Sequence, residues 1–266
     1  MSILKRLAGR AVPGLAASPI DGDAKQVAWA IGSHLMAYPD GEIVERLPLL
    51  RDACSLLPEP YGSEVAAVVD RMLAESRTDD LAALQQEYVA TFDTRRRGCL
   101  FLTYFGSGDT RRRGMALLEI KQTMRESGVE LAADREDELP DHLCVVLEFA
   151  GTVDAEAGER ILLDNRAGIE LLRTHLQEID SPWAPAIRMV CATMPALNDD
   201  DRTAIAKLAE QGPAQESVGL SGYGTDADYM ASPPTNAPVA FTAPSGPVPL
   251  PTPRIRPTQP SSARRS

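Results

Sequence analysis

The chain has 266 residues, of which 44% are apolar and 24% are charged, and its formal net charge is -11. These values predict a globular protein with a sizeable core. They argue against general binding of nucleic acid, because phosphates require a cationic surface. No apolar run approaches the ~18 residues that suggest a membrane span. Prolines and a glycine interrupt the apolar stretch near the N-terminus, so no signal peptide and a cytoplasmic location are predicted.

Spacing of apolar residues by three and four predicts one all-α helical-bundle domain over residues 22–211, after a mobile N-terminal arm at 1–21. No segment alternates in the way that predicts a strand. One long helix is expected across residues 161–176, and a last helix across 199–211. The predicted stripes, in chain order, are Val27, Ile31 and Leu35; Val65, Val68, Val69, Met72 and Leu73; Leu81, Leu84, Tyr88 and Phe92; Met115, Leu118 and Met124; Leu143, Val146, Leu147 and Ala150; Ile161, Leu162, Ile169, Leu172 and Leu176; and Ile187, Val190, Cys191 and Met194.

Residues 212–266 differ in composition from this body. The segment from residue 213 onward holds eleven of the 21 prolines and almost no aliphatic runs. Such a segment cannot bury enough apolar surface to offset its ordering entropy, so a disordered Pro-rich tail is predicted. The tail carries a formal charge of +1, which leaves -12 on residues 1–211.

The four cysteines lie in unlike sequence contexts, and no CxxC pair occurs. We therefore interpret them as buried thiols in a reducing cytosol. A disulfide or zinc framework remains the alternative interpretation. The cysteines are Cys54, Cys99, Cys144 and Cys191.

An identical hexapeptide, DTRRRG, occurs at residues 93–98 (the first arginine box) and at 109–114 (the second arginine box), on either side of the apolar strip CLFLTYFGSG. Asp and Thr are good N-caps, so each box is predicted to begin a helix. Arginines in a first turn oppose the helix dipole. The arginines are interpreted in one of two ways. They form ion pairs with carboxylates of neighbouring acidic helices, or they form an anion site for a phosphate or a partner carboxylate. The arginines are Arg95, Arg96, Arg97, Arg111, Arg112 and Arg113.

The segment ELPDHLCVVLEFAG places Pro140, Asp141 and His142 (the PDH loop) at a predicted helix start, with Pro140 suited to the first turn. A metal-dependent hydrolase that uses Asp141 and His142 is one alternative function. It would need further ligands, and only His34 and His175 remain as histidines. Nucleophile-elbow and Walker signatures are also absent, so neither a catalytic set nor a metal site is predicted. A helical regulator that binds nucleic acid through the arginine boxes is a second alternative, which the acidic body opposes.

The run from Glu87 to Gly151, with both boxes and the PDH loop, resembles the NarJ family, within the TorD/DmsD group of all-helical redox-enzyme maturation chaperones. The resemblance is looser from Asp23 to Gly212 and does not extend into the tail. It implies a chaperone, not an enzyme, that binds the N-terminal leader of the apo catalytic subunit of respiratory nitrate reductase. Such a chaperone holds no permanent cofactor, assists insertion of molybdopterin guanine dinucleotide into the subunit before membrane docking, and is not part of the mature enzyme. Cofactor-delivery proteins are further implied partners, and another molybdoenzyme is an alternative client.

The resemblance also implies a peptide-binding site. Tyr88 and Phe92 would contact the apolar face of the leader, and Asp141 would pair with its basic residues. Pro140 and His142 would set the shape of the loop. Because Tyr88 and Phe92 also lie on a predicted core stripe, a purely structural role stays open for both. An acidic body suits a cationic, apolar leader peptide.

Overall fold

Helices follow one another along almost the whole described part of the chain, which in this computed structural model is residues 19–77, 81–94, 96–107, 111–131, 138–211 and 255–257. These residues contain eleven α-helices, which confirms the all-α prediction. The helices are α1 (Asp23–Leu35), α2 (Gly41–Ala53), α3 (Tyr61–Arg77), α4 (Leu81–Phe92), α5 (Leu102–Ser107), α6 (Arg111–Glu126), α7 (Leu143–Thr152), α8 (Ala155–Asp164), α9 (Arg166–Glu178), α10 (Ala184–Ala192) and α11 (Asp199–Gln211). The short elements are 3₁₀ turns at Cys54–Leu56 and Arg96–Gly98, and strands β1 (Val129–Leu131) and β2 (Ile255–Pro257). No described helix is both long enough and apolar enough to cross a bilayer.

Helix α7 is the centre of the fold, because the residues of its run 143–147 are apolar and fully buried. A helix that is apolar on all sides is stable only when other elements surround it. Small residues at the contacts let helices α1 and α8 approach α7 closely. A Cβ on Gly151 would lie 2.9 Å from the backbone nitrogen of Ala30 in α1, and one on Gly158 of α8 would lie 2.4 Å from the Ala150 Cβ.

Helix α2 was not predicted, although local signals for it exist. Asp40 caps its N-terminus, where the Asp40 carboxylate accepts a hydrogen bond from the Ile43 amide at 2.9 Å. Ile43, Leu47 and Leu50 form its buried face at helical spacing. Pro48 lies inside the helix and weakens the pattern, since proline removes a backbone donor.

The predicted long helix across residues 161–176 is wrong, because the chain forms two helices that meet at Asn165. Asp154 caps the first of them, with its carboxylate accepting from the Ala157 amide at 2.9 Å. Both helices carry apolar residues at helical spacing, so the stripe alone does not reveal the break. The last helix spans 199–211 as predicted.

The folded body begins before residue 22. Ile20 is buried, and its amide donates to the Ala192 carbonyl at 3.0 Å. Residues 1–18 of the predicted arm lie outside the described residues, as do residues 78–80 before α4.

Most of the predicted tail, residues 212–254 and 258–266, also lies outside the described residues. The described exception is β2, which pairs antiparallel with β1. Nothing in the sequence pattern predicts this ribbon, because three residues are too few to show alternation.

The four cysteines are free thiols, as predicted. Cys54 and Cys144 are buried, whereas Cys99 and Cys191 are only half-buried. Burial raises the pKa of all four thiols, which disfavours the nucleophilic thiolate.

Candidate functional site

The first arginine box ends a helix instead of beginning one. Thr94 donates its hydroxyl to the Ala90 carbonyl at 2.8 Å, which is a contact with the last turns of α4. The chain then forms the 3₁₀ turn at Arg96–Gly98. A Cβ on Gly98 would lie 2.1 Å from the Thr91 carbonyl oxygen, so only glycine permits the turn to pack on α4. The predicted helix start at this box is therefore wrong.

The second arginine box does begin a helix, α6, at Arg111. Its expected caps, Asp109 and Thr110, lie outside the described residues. The predicted apolar stripe of α6 is wrong in part, because Met115 and Leu118 are 61% and 59% exposed. The buried face of α6 consists of Ile120 and Met124.

The apolar strip between the boxes pairs with the PDH loop. The Leu102 amide donates to the Asp141 carbonyl at 2.9 Å, and the Leu143 amide donates to the Leu100 carbonyl at 2.8 Å. Phe101 and His142 thereby form an isolated antiparallel bridge. This pairing brings both boxes and the PDH loop, distant in sequence, to one place.

Asp141 is fully buried inside this place. Its Oδ2 accepts hydrogen bonds from the Thr103 hydroxyl at 2.5 Å and the Thr103 amide at 3.3 Å. Arg113 of the second box brings its Nη2 to 3.6 Å from the same oxygen, and its guanidinium lies 5.4 Å from the centre of the Phe101 ring. Asp141 thus ties the PDH loop to α5 and α6. Sequence reasoning missed Thr103, whose hydroxyl inside an apolar strip was the available signal.

His142 caps helix α7, because its Nδ1 accepts from the Cys144 amide at 3.3 Å. The helix therefore begins at Leu143, and Pro140 lies in the turn before it, not in its first turn as predicted. The His142 ring meets the Phe101 ring edge to face, with 5.2 Å between ring centres. Burial lowers the pKa of His142 to about 4, so the imidazole is neutral at physiological pH.

Tyr88 and Phe92 are 2% and 3% exposed, in a cluster of aromatic rings with Tyr38 and Trp183. The Tyr88 hydroxyl donates to the Met36 carbonyl at 3.1 Å. Both residues therefore have a packing role. In this conformation, neither side chain offers more than a small part of its surface to a peptide.

One arginine of each box forms an ion pair that links two elements of the described structure. Besides the contact of Arg113 with Asp141, Arg97 of the first box lies 3.5 Å from Glu178 of α9. Arg96, Arg111 and Arg112 are exposed, and Arg95 lies outside the described residues. Ion pairing between elements explains the contacts of Arg97 and Arg113. The interpretation of the boxes as an anion site stays a prediction.

The geometry does not assemble a hydrolytic site at the PDH loop. Asp141 is engaged by Thr103 and Arg113, and His142 Nδ1 caps a helix. Over the described part of the chain, no group of three or more His, Cys, Asp and Glu residues is arranged to hold a metal ion.

The fold and this site together define a mainly helical protein in which the buried Asp141 carboxylate of the PDH loop contacts Thr103 and Arg113. Residues 56–188 match the family described as nitrate reductase delta subunit. The probable nitrate reductase molybdenum cofactor assembly chaperone NarJ of Bacillus subtilis is 31% identical over 170 residues, which cover 64% of this chain and 89% of that protein. The chain belongs to the nitrate reductase delta subunit family.

The nitrate reductase-like protein NarX of Mycobacterium tuberculosis, in two strains, is more similar in sequence. It is 40% identical over 175 residues, which cover 66% of this chain. The matched region is 25% of the length of NarX, so the chain spans about a quarter of these relatives. The shared region is therefore one part of a longer protein in M. tuberculosis.

Acidification is expected to destabilise the fold through His142. The unfolded imidazole has its ordinary pKa of 6.5 and the folded one about 4, so the unfolded state binds the proton first as pH falls. The free energy of unfolding should fall by about 1.4 kcal/mol per pH unit below pH 6.5, until the folded pKa is reached. Urea unfolding of wild type and His142→Asn across this range measures the effect. Asn keeps a capping acceptor but does not titrate. If the free energy of unfolding depends on pH in the same way in both proteins, His142 is not the group responsible.

Proposed function

We propose that the protein is an assembly chaperone for molybdenum-containing nitrate reductase that acts without catalysing a reaction itself. The observation that carries the proposal is the similarity to the B. subtilis chaperone, which extends over 89% of that protein. The client is the apo catalytic (alpha) subunit, which the chaperone holds by its N-terminal leader. The chaperone supports insertion of molybdopterin guanine dinucleotide before membrane docking, keeps no cofactor itself and leaves the mature enzyme. The alternative client is another molybdoenzyme.

The leader binds at the PDH loop and the rings around it. Phe101 and His142 are half-buried and offer a partly exposed aromatic surface. On the neighbouring α6, Met115 and Leu118 add exposed apolar surface. Tyr88 and Phe92, which lie in the buried layer, would reach the apolar face of the peptide only after the surface opens.

Asp141 has a specific role in this proposal. In the described conformation its cationic partner is Arg113, whose side chain is 17% exposed. Because Asp141 itself is fully buried, a basic residue of the leader reaches it only by displacing Arg113. The exchange replaces one cation by another, so the buried carboxylate never loses its partner, whose loss would be costly. Pro140 and His142 hold the loop in shape during the exchange.

Isothermal titration calorimetry with the first ~15 residues of the catalytic subunit tests leader binding. We expect saturable binding that weakens as salt is added, because exposed charges are screened over ~10 Å at 0.1 M salt. The isosteric variant Asp141→Asn should bind about tenfold more weakly, which corresponds to 1.4 kcal/mol. Asp52→Asn, the same change at an exposed position of α2, is the matched control. Absence of binding to folded wild type would remove the leader-receptor function.

The exposed arginines of the second box are expected to contact an anionic surface of the client, a cofactor-delivery protein or the cofactor phosphates. The double reversal Arg111→Glu/Arg112→Glu should leave the protein folded, since acidic residues suit a helix N-terminus. It should lower the yield of cofactor-loaded reductase several-fold in a strain that lacks the wild-type chaperone. Lys121→Glu/Arg125→Glu makes the same charge change at exposed positions of the same helix and is the control. Equal yields from both variants would assign Arg111 and Arg112 to structure alone.

A further inference from the structure

Strand β1 is completed by a segment from far along the chain. Val129, Glu130 and Leu131 lie opposite Pro257, Arg256 and Ile255 in an antiparallel register. Within the described residues, β2 is the only strand that pairs with β1. One edge of β1 is therefore paired with a segment outside the helical body.

The body holds β1 firmly in place. Gly128 ends α6 with a φ of 83°, the left-handed conformation that suits glycine at a helix end. The preceding Ser127 donates its hydroxyl to Asp154 at the α7–α8 junction, at 2.7 Å. Val129 is buried and Leu131 is half-buried against the core, as alternate residues of a strand on one face should be. This anchoring leaves β1 in an extended conformation suited to pairing.

The pairing with β2 is short and therefore exchangeable. A two-stranded ribbon with little support is marginally stable in water, and this one has three residue pairs and a short contact of β2 with α7. Attachment to the same chain supplies β2 at an effective concentration on the order of millimolar. A second peptide of similar chemistry therefore competes at accessible concentrations.

Charge defines that chemistry. Glu130 stands opposite Arg256 in the register, and opposite charges at directly facing positions stabilise a strand pair. Arg254 lies two residues earlier in the segment PRIRP, and the body that receives it carries -12. An extended segment with arginines at alternate positions fits this edge.

We propose that β1 is a strand-addition site for an extended, arginine-bearing peptide segment, and that residues 255–257 of the same chain are its resting occupant. Main-chain pairing supplies affinity and Glu130 supplies selectivity for arginine, the usual division in strand addition. An arginine-bearing segment of the client would displace the tail. This last step rests on the proposed function, whereas occupancy by the tail does not.

Hydrogen exchange in the full chain tests the resting occupant. In Arg256→Glu the β1 amides that point towards β2 should exchange several-fold faster than in wild type, while those of α7 stay protected. Arg265→Glu makes the same charge change elsewhere in the tail and should leave β1 unchanged. The swap Glu130→Arg/Arg256→Glu should restore slow exchange. Equal β1 exchange in wild type and Arg256→Glu would overturn the proposal.

A labelled peptide of residues 251–259 (PTPRIRPTQ) tests the site in trans. It should bind Arg256→Glu several-fold more tightly than wild type, because the competing segment is weakened, and adding Glu130→Arg should weaken that binding. Equal affinity for all three proteins would overturn the strand-addition site.

The catalytic-subunit leader peptide separates the two proposals. Tighter binding to Arg256→Glu than to wild type supports displacement of the tail. Equal binding to both proteins overturns displacement and leaves leader recognition intact. No binding to either protein overturns the proposed function, while the exchange results still decide whether the tail occupies β1.

Discussion

Asp141→Ala is expected to lower the free energy of unfolding by about 3 kcal/mol. The change removes a buried carboxylate that accepts two hydrogen bonds from Thr103 and faces the Arg113 guanidinium. Thr103 is 3% exposed, so its hydroxyl would be left without this partner in the interior. Arg113 is partly exposed, and the ion pair is therefore the smaller part of the loss.

Urea unfolding followed by circular dichroism measures this loss, with two controls. Asp141→Asn keeps the shape and a side-chain acceptor for Thr103, so it should cost less than Asp141→Ala. Asp52→Ala, at an exposed position in α2, should change stability by no more than about 0.5 kcal/mol. If Asp141→Ala is as stable as Asp52→Ala, the carboxylate does not tie the PDH loop to α5 and α6.

Gly98→Ala and Gly114→Ala are expected to have opposite effects, although each changes the last residue of an identical hexapeptide. At Gly98 the added Cβ would lie 2.1 Å from the Thr91 carbonyl, so backbone must shift, at a cost of about 3 kcal/mol. At Gly114 no atom lies within 4 Å of the added Cβ, in an exposed turn of α6. Alanine there should raise the free energy of unfolding by about 0.5–1 kcal/mol, because glycine weakens a helix interior.

Thermal and urea unfolding of both single variants, and of the double variant, test this contrast. An added Cβ at Gly98 meets Thr91 and Phe92 whereas one at Gly114 meets nothing within 4 Å, so the two effects should add within about 0.5 kcal/mol. Loss of stability in both variants, or in neither, would show that the two boxes have the same environment.

Helical periodicity predicted most helices of the body but not α2, because the pattern depends only on residues three and four apart and Pro48 weakens it there. The last helix, 199–211, has the predicted bounds, and α7 contains its predicted stripe. The same pattern failed where a break leaves the stripe intact, as at Asn165. It also failed at Met115 and Leu118, because an apolar residue on a helix is buried only if another element covers it.

The sequence named residues of the candidate site, but it did not predict the contacts that these residues make. The resemblance directed attention to the PDH loop and both arginine boxes, which the fold brings together, and their roles in binding stay predictions. It implied that Asp141 faces a basic residue of a peptide, whereas the described partner is Arg113 of the same chain. Two residues 28 positions apart show no local pattern, so sequence periodicity could not join them.

The sequence alone determined that this protein is an acidic, all-helical body with a proline-rich tail, because composition and periodicity act locally along the chain. It also identified the family, through motifs that are contiguous in sequence. Only the tertiary structure decided that two identical boxes have different structures, one at the end of α4 and one at the start of α6. The same six residues do so because the elements packed against them differ: the α4 backbone leaves no room at Gly98, and open space surrounds Gly114.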